Sequence, residues 1–78
     1  MRLVDLVVET PRNKIIGIEI KSKPLPQELD FASGQKALRA VAPKAEFFCA
    51  CTGNTKRIVG DGKVWPYQEV LKMLQESE

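Results

Sequence analysis

A chain of 78 residues has room for one small domain, residues 1–78, and at 44% hydrophobic and 28% charged it has neither the composition of a disordered tail nor that of a membrane-spanning protein. A net charge of +2 is too slight to argue for nucleic acid by itself, as an obligate DNA coat is far more basic. No apolar run approaches the ~20 residues of a membrane helix, and the first residues lack the basic, apolar, small-residue order of a secretory signal. No membrane partner is expected, and the expected location is the cytoplasm.

Residues 3–9 read as a short strand, with Asp5 inside Leu3-Val4-Asp5-Leu6-Val7-Val8. Thr10-Pro11-Arg12-Asn13-Lys14 has the chemistry of a turn, since proline presets its own dihedral and asparagine tolerates positive ones. Residues 15–21, Ile15-Ile16-Gly17-Ile18-Glu19-Ile20-Lys21, form a second strand and close an antiparallel hairpin. If Glu9 faces Ile15, then Val7 faces Gly17, Asp5 faces Glu19 and Leu3 faces Lys21, all on one face because side chains alternate. The other face, with Val4, Leu6, Val8, Ile16, Ile18 and Ile20, is uniformly aliphatic and predicts burial.

Two carboxylates directly across a ladder repel each other. A divalent cation between Asp5 and Glu19, with the Lys21 ammonium nearby, turns that repulsion into binding. The plain alternative is an exposed Asp5 beside a same-face Glu19–Lys21 surface ion pair, which adds little to stability.

Pro24-Leu25-Pro26 ends the second strand, because proline cannot donate to a ladder. A helix begins between Pro26, suited to a first turn, and Asp30, suited to capping a later start. Its predicted core stripe is Phe31, Gly34, Leu38, Val41 and Ala42, with Glu28, Lys36 and Arg39 away from it; Pro43 stops it. Glu46 to Thr52 is an almost wholly apolar third strand, expected at the centre and covered on both faces. Cys49 and Cys51 share one face of it; without histidine two cysteines do not complete a zinc site, and buried reduced thiols are expected. Arg57-Ile58-Val59 and Lys63-Val64-Trp65 flank a Gly60-Asp61-Gly62 turn. Pro66 then opens a last helix, Tyr67 to about Gln75, with Tyr67, Val70, Leu71 and Leu74 on its apolar side.

The expected architecture is thus α/β (α+β): a mixed sheet in the order β-β-α-β, a short β ribbon, and a closing helix. An acid on one hairpin strand and E-x-K on the next resembles the PD-(D/E)xK nuclease superfamily. The chain is most similar to the nuclease-like C-terminal domain fused to prokaryotic AAA-type ATPases. The likeness is carried by Val4-Asp5-Leu6-Val7-Val8-Glu9, Ile16-Gly17-Ile18-Glu19-Ile20-Lys21-Ser22, Leu38-Arg39-Ala40-Val41, Cys51-Thr52-Gly53 and Gly60-Asp61-Gly62-Lys63-Val64-Trp65-Pro66.

This resemblance implies a restriction-endonuclease-like core that is truncated at the front, since superfamily members precede the first acid with a helix and a strand, and here Met1 stands four residues before Asp5. It implies Asp5 and Glu19 as ligands of Mg²⁺ or Mn²⁺, with the backbone carbonyl of Ile20 as a third. Lys21 would orient the attacking water and offset charge on the phosphorane. Hard oxygen ligands and a nearby cation suit that chemistry. DNA is the implied substrate, with Lys23, Gln35, Lys36 and Arg39 as candidate contacts. A homodimer is expected to cover the hairpin, and an ATPase is the implied further partner. The alternative is a catalytically inactive relative serving as a binding or dimerisation module.

Overall fold

The computed structural model describes residues 5–76. Leu3 and Val4, expected in the first strand, lie outside them. Strands β1 (Leu6–Glu9) and β2 (Ile15–Ile20) form the antiparallel hairpin. Its turn follows from local chemistry. Asn13 takes a φ of 64°, in the left-handed region where asparagine is enriched. The Thr10 N–H donates to the Lys14 carbonyl at 2.8 Å, and the Thr10 hydroxyl accepts from the Lys14 N–H at 3.2 Å. With the turn fixed, the register follows: Leu6 with Ile18, Val7 with Gly17, Val8 with Ile16 and Glu9 with Ile15.

The chain then crosses over through a short 3-10 turn (Glu28–Asp30) and helix α1 (Ala32–Val41) to β3 (Glu46–Cys51), which lies parallel to β2. The helix starts later than the sequence suggests. The Asp30 carboxylate accepts the Gln27 N–H at 2.7 Å, so it closes the separate turn instead of capping α1. Phe31, at φ −137° and ψ 0°, breaks the two apart. After β3 come β4 (Arg57–Val59) and β5 (Gly62–Pro66), an antiparallel ribbon whose second strand runs parallel to β3, and then α2 (Tyr67–Glu76). Pro66 is the last residue of β5, paired with Cys51, and α2 follows directly from Tyr67, as expected. A strand end is where a residue without an N–H does least harm to a ladder.

The result is a small α+β domain: a mixed five-stranded sheet ordered β1-β2-β3-β5-β4, with a helix on each face. On the α1 face Phe31 and Leu38 pack on Ala45, Phe47, Cys49, Cys51 and Val64. On the α2 face Val70 packs on Ile16, Ile18, Phe48 and Ala50. β3 contributes to both clusters and is buried at every residue from Phe47 to Cys51, as a central strand must be. Cys49 and Cys51 are free thiols at 0% and 1% exposure. No helix among the described residues is long and apolar enough to cross a membrane.

Three expectations about the core fail, one on each helix and one on the hairpin. Val41, in the last turn of α1, is 83% exposed, and Ala42 turns inward instead. Helix α2 covers Ile16 and Ile18, yet leaves Leu6 and Ile20 half exposed at the far end of the hairpin. Leu71 is likewise more than half exposed. With Ile18, Ala50, Tyr67, Val70 and Leu74, these residues line an open apolar groove of about 250 Å³.

Candidate functional site

Gly17 and Glu19 alternate with the buried isoleucines of β2, so the Gly17 Cα hydrogen and the Glu19 side chain face α1. A Cβ on Gly17 would collide with the Leu38 side chain, which fixes how closely α1 approaches β2. Glu19 is paired in register with Cys49, a member of the α1-face cluster. Its side chain is 14% exposed, and the Lys21 ammonium stands 3.8 Å from it. Period two therefore does bring Glu19 and Lys21 to one face, as expected.

Asp5 reaches β2 by a different route. The last described pair of the ladder is Leu6–Ile18, and beyond it the Asp5 carboxylate accepts the Ile20 N–H at 2.7 Å. The carboxylate thus does for Ile20 what a ladder carbonyl does inside a strand. A residue's N–H and C=O leave a strand on the same side, so the Ile20 carbonyl is directed to the edge where Asp5 stands. Asp5, Glu19 and Ile20 are thereby gathered at one end of the hairpin. Among the described residues, no three His, Cys, Asp or Glu side chains form a metal-binding group. Any cation here draws on two carboxylates and backbone oxygen, a hard donor set that fits Mg²⁺ or Mn²⁺ and not a thiophilic metal.

Two residues absent from the sequence-based site belong to its surroundings. Asp30 accepts from the Gln27 N–H and from the Lys23 ammonium at 3.0 Å. Its carboxyl is held below the usual range first by that backbone N–H and then by Lys23, with a smaller pull from Lys21. Tyr67, on the opposite face, donates its hydroxyl to the Lys21 carbonyl at 3.2 Å. Neither carried a signal in the sequence: one contact is a side chain bonding backbone within a loop, the other spans 46 positions. The Cys49 thiol is pushed up to about 12, mainly by burial, with further contributions from Cys51 and the Glu19 charge.

The four candidate DNA contacts divide. Lys23 is engaged with Asp30 beside the site. Gln35 stands about one turn before Leu38 on a helix that returns antiparallel to β2, which carries it toward the level of Glu19; its amide nitrogen is buried without a hydrogen-bond partner. Arg39, one turn further on, has its Nε in the same condition. Lys36 is exposed, two positions from both buried Gly34 and buried Leu38, and so projects away from the sheet. Comparison with protein-family profiles, curated proteins and solved structures returns no match to this chain.

Proposed function

We propose that this domain is a Mg²⁺-dependent, nuclease-like unit of restriction-endonuclease type, acting on DNA at Asp5, Glu19 and Lys21. The observation that carries the reading is the Glu19–Lys21 pair at 3.8 Å beside the Ile20 peptide on which the Asp5 carboxylate is anchored. Asp5, Glu19 and the Ile20 carbonyl would hold the cation. When bound, it polarises a phosphoryl oxygen as a Lewis acid. The chain's own residues do the rest. Lys21 orients the attacking water and offsets the charge that builds on the phosphorus oxygens, acting as a preorganised cation at the developing charge. Gln35, whose amide nitrogen is buried and unpartnered on α1, contacts the substrate backbone only if its side chain turns outward.

A titration with Mg²⁺ or Mn²⁺ followed by NMR tests the site. Selective shifts at Asp5, Glu19, Ile20 and Lys21 are expected at millimolar metal, and their absence would sink the reading. A DNA-cleavage assay then separates binding from turnover: Glu19→Ala is expected to abolish both the metal shifts and the cleavage. A wild-type protein that binds metal without cleaving leaves the second reading, a non-catalytic binding or dimerisation module. That reading is favoured by the apolar groove at Leu6, Ile20 and Leu71 and the unpaired outer edge of β1. Sedimentation measurements at rising concentration distinguish it, since a monomer throughout removes the dimer.

A further inference from the structure

We propose that Tyr67 is the positioning residue of Lys21. In a regular parallel ladder each bonding residue of one strand engages two residues of its neighbour, spaced two apart. Here the Lys21 N–H donates to the Ala50 carbonyl at 2.9 Å. In that pattern the next donor, the Thr52 N–H just beyond β3, belongs on the Lys21 carbonyl. It donates instead to the Lys23 carbonyl, at 3.2 Å. The chain bulges across residues 21–23, and the Lys21 carbonyl loses its place in the sheet. The Tyr67 hydroxyl takes over, donating to that carbonyl at 3.2 Å.

A phenol from the first turn of α2 thus replaces a sheet hydrogen bond at the very residue that bears the ammonium. The donor comes from a fixed support: Tyr67 packs against the α2-face cluster of Ile16, Ile18, Phe48, Ala50 and Val70. The clamp sets the backbone position from which the Lys21 side chain reaches Glu19, 3.8 Å away. The hydroxyl acts on Lys21 from behind the sheet, while the ammonium acts in front of it. The value of the clamp for catalysis rests on the nuclease reading; the clamp itself does not.

The test is Tyr67→Phe in the full chain, which keeps the ring and removes the donor. The Lys21 amide is expected to exchange with solvent about tenfold faster than in the wild type, with the Ile18 and Phe48 amides unchanged. Loss of ring packing alone would not produce that local signature. The Mg²⁺-induced shift at Lys21 is expected to shrink while those at Asp5 and Glu19 persist. An unchanged Lys21 exchange rate in folded Tyr67→Phe would overturn the proposal, whatever the metal does. A wild type without metal shifts removes the nuclease reading alone, and the exchange rate still decides the clamp. Should Tyr67→Phe fail to fold, the wild type is measured in mixed light and heavy water. A resolved isotope splitting at the Tyr67 Cζ then reports a held hydroxyl, and a single averaged line overturns it.

Discussion

Glu46, Asp5 and Asp30 show how an acid is held in this domain: by ammonium groups, by the backbone itself, or by both. Glu46 belongs to the first kind: Lys14 pairs with one of its oxygens and Lys63 donates to the other at 2.9 Å. Its carboxyl is held below the ordinary value of 4.5 by those two hydrogen bonds, against the opposing effect of burial. A carboxyl more acidic in the fold than in the open chain stabilises above its unfolded pKa, and that contribution disappears as pH falls through the folded one. Glu46→Gln is therefore expected to cost about 0.5–1 kcal/mol at pH 7, with the partly exposed pair discounted for screening. In urea denaturation the gap to wild type should close as pH falls below the ordinary carboxyl value of 4.5; a gap that persists unchanged in acid would assign the loss to packing. Asp5 is anchored on the Ile20 N–H, and Asp30 combines the Gln27 N–H with the Lys23 ammonium. That division limits what the sequence reveals. Side-chain period exposes Glu19 and Lys21 as neighbours, because alternation is a property of the strand. Nothing periodic announces that a carboxylate will stand in for a ladder carbonyl, or that Asp30 will draw in Lys23.

Among the elements, the hairpin and the central strand were the most legible. The asparagine-containing turn fixes the loop, and the loop fixes the register. The unbroken apolar run of β3 has nowhere to go except between two covered faces. Helix limits were less legible, because they depend on competing local hydrogen bonds. Asp30 spent on Gln27 delays α1, and nothing in its apolar spacing distinguishes Val41, left in solvent, from Ala42, turned inward. Helix α1 meets β2 closely where the Leu38 side chain lies over Gly17. Gly17→Ala is expected to destabilise by about 1–3 kcal/mol through overpacking. Combined with Leu38→Ala it should cost less than the sum of the two, since the smaller side chain makes room for the added methyl. Additive losses in denaturant titrations would place the strain elsewhere. The same substitution stands two residues from Glu19, so a shift of α1 there also moves Gln35.

At the scale of the molecule, one sheet separates two cores that meet only through its strands. The α1 side carries the charged end of the hairpin, and the α2 side carries the apolar groove, so the two faces present different chemistry to any partner. The backbone of Lys21 joins them: its ammonium is on one side and the Tyr67 hydroxyl reaches it from the other. Tyr67 both lines the groove and bonds the Lys21 carbonyl, so one side chain borders the two faces.

The two cysteines of β3 give this architecture a built-in reporter. Thiols are modified as thiolates, and Cys49 is both sealed from solvent and pushed up to about 12. Near neutral pH it is silent toward alkylating reagents for as long as β3 stays in place. β3 is hydrogen-bonded on both edges and packed on both faces, so it is released only when the whole domain opens. Labelling by iodoacetamide across a urea series is expected to follow the global unfolding transition, with negligible labelling in native buffer. Labelling well before the transition would instead reveal a partial opening of the sheet. The sulfur atoms at the centre of the protein thus count its excursions to the unfolded state, one irreversible mark at a time.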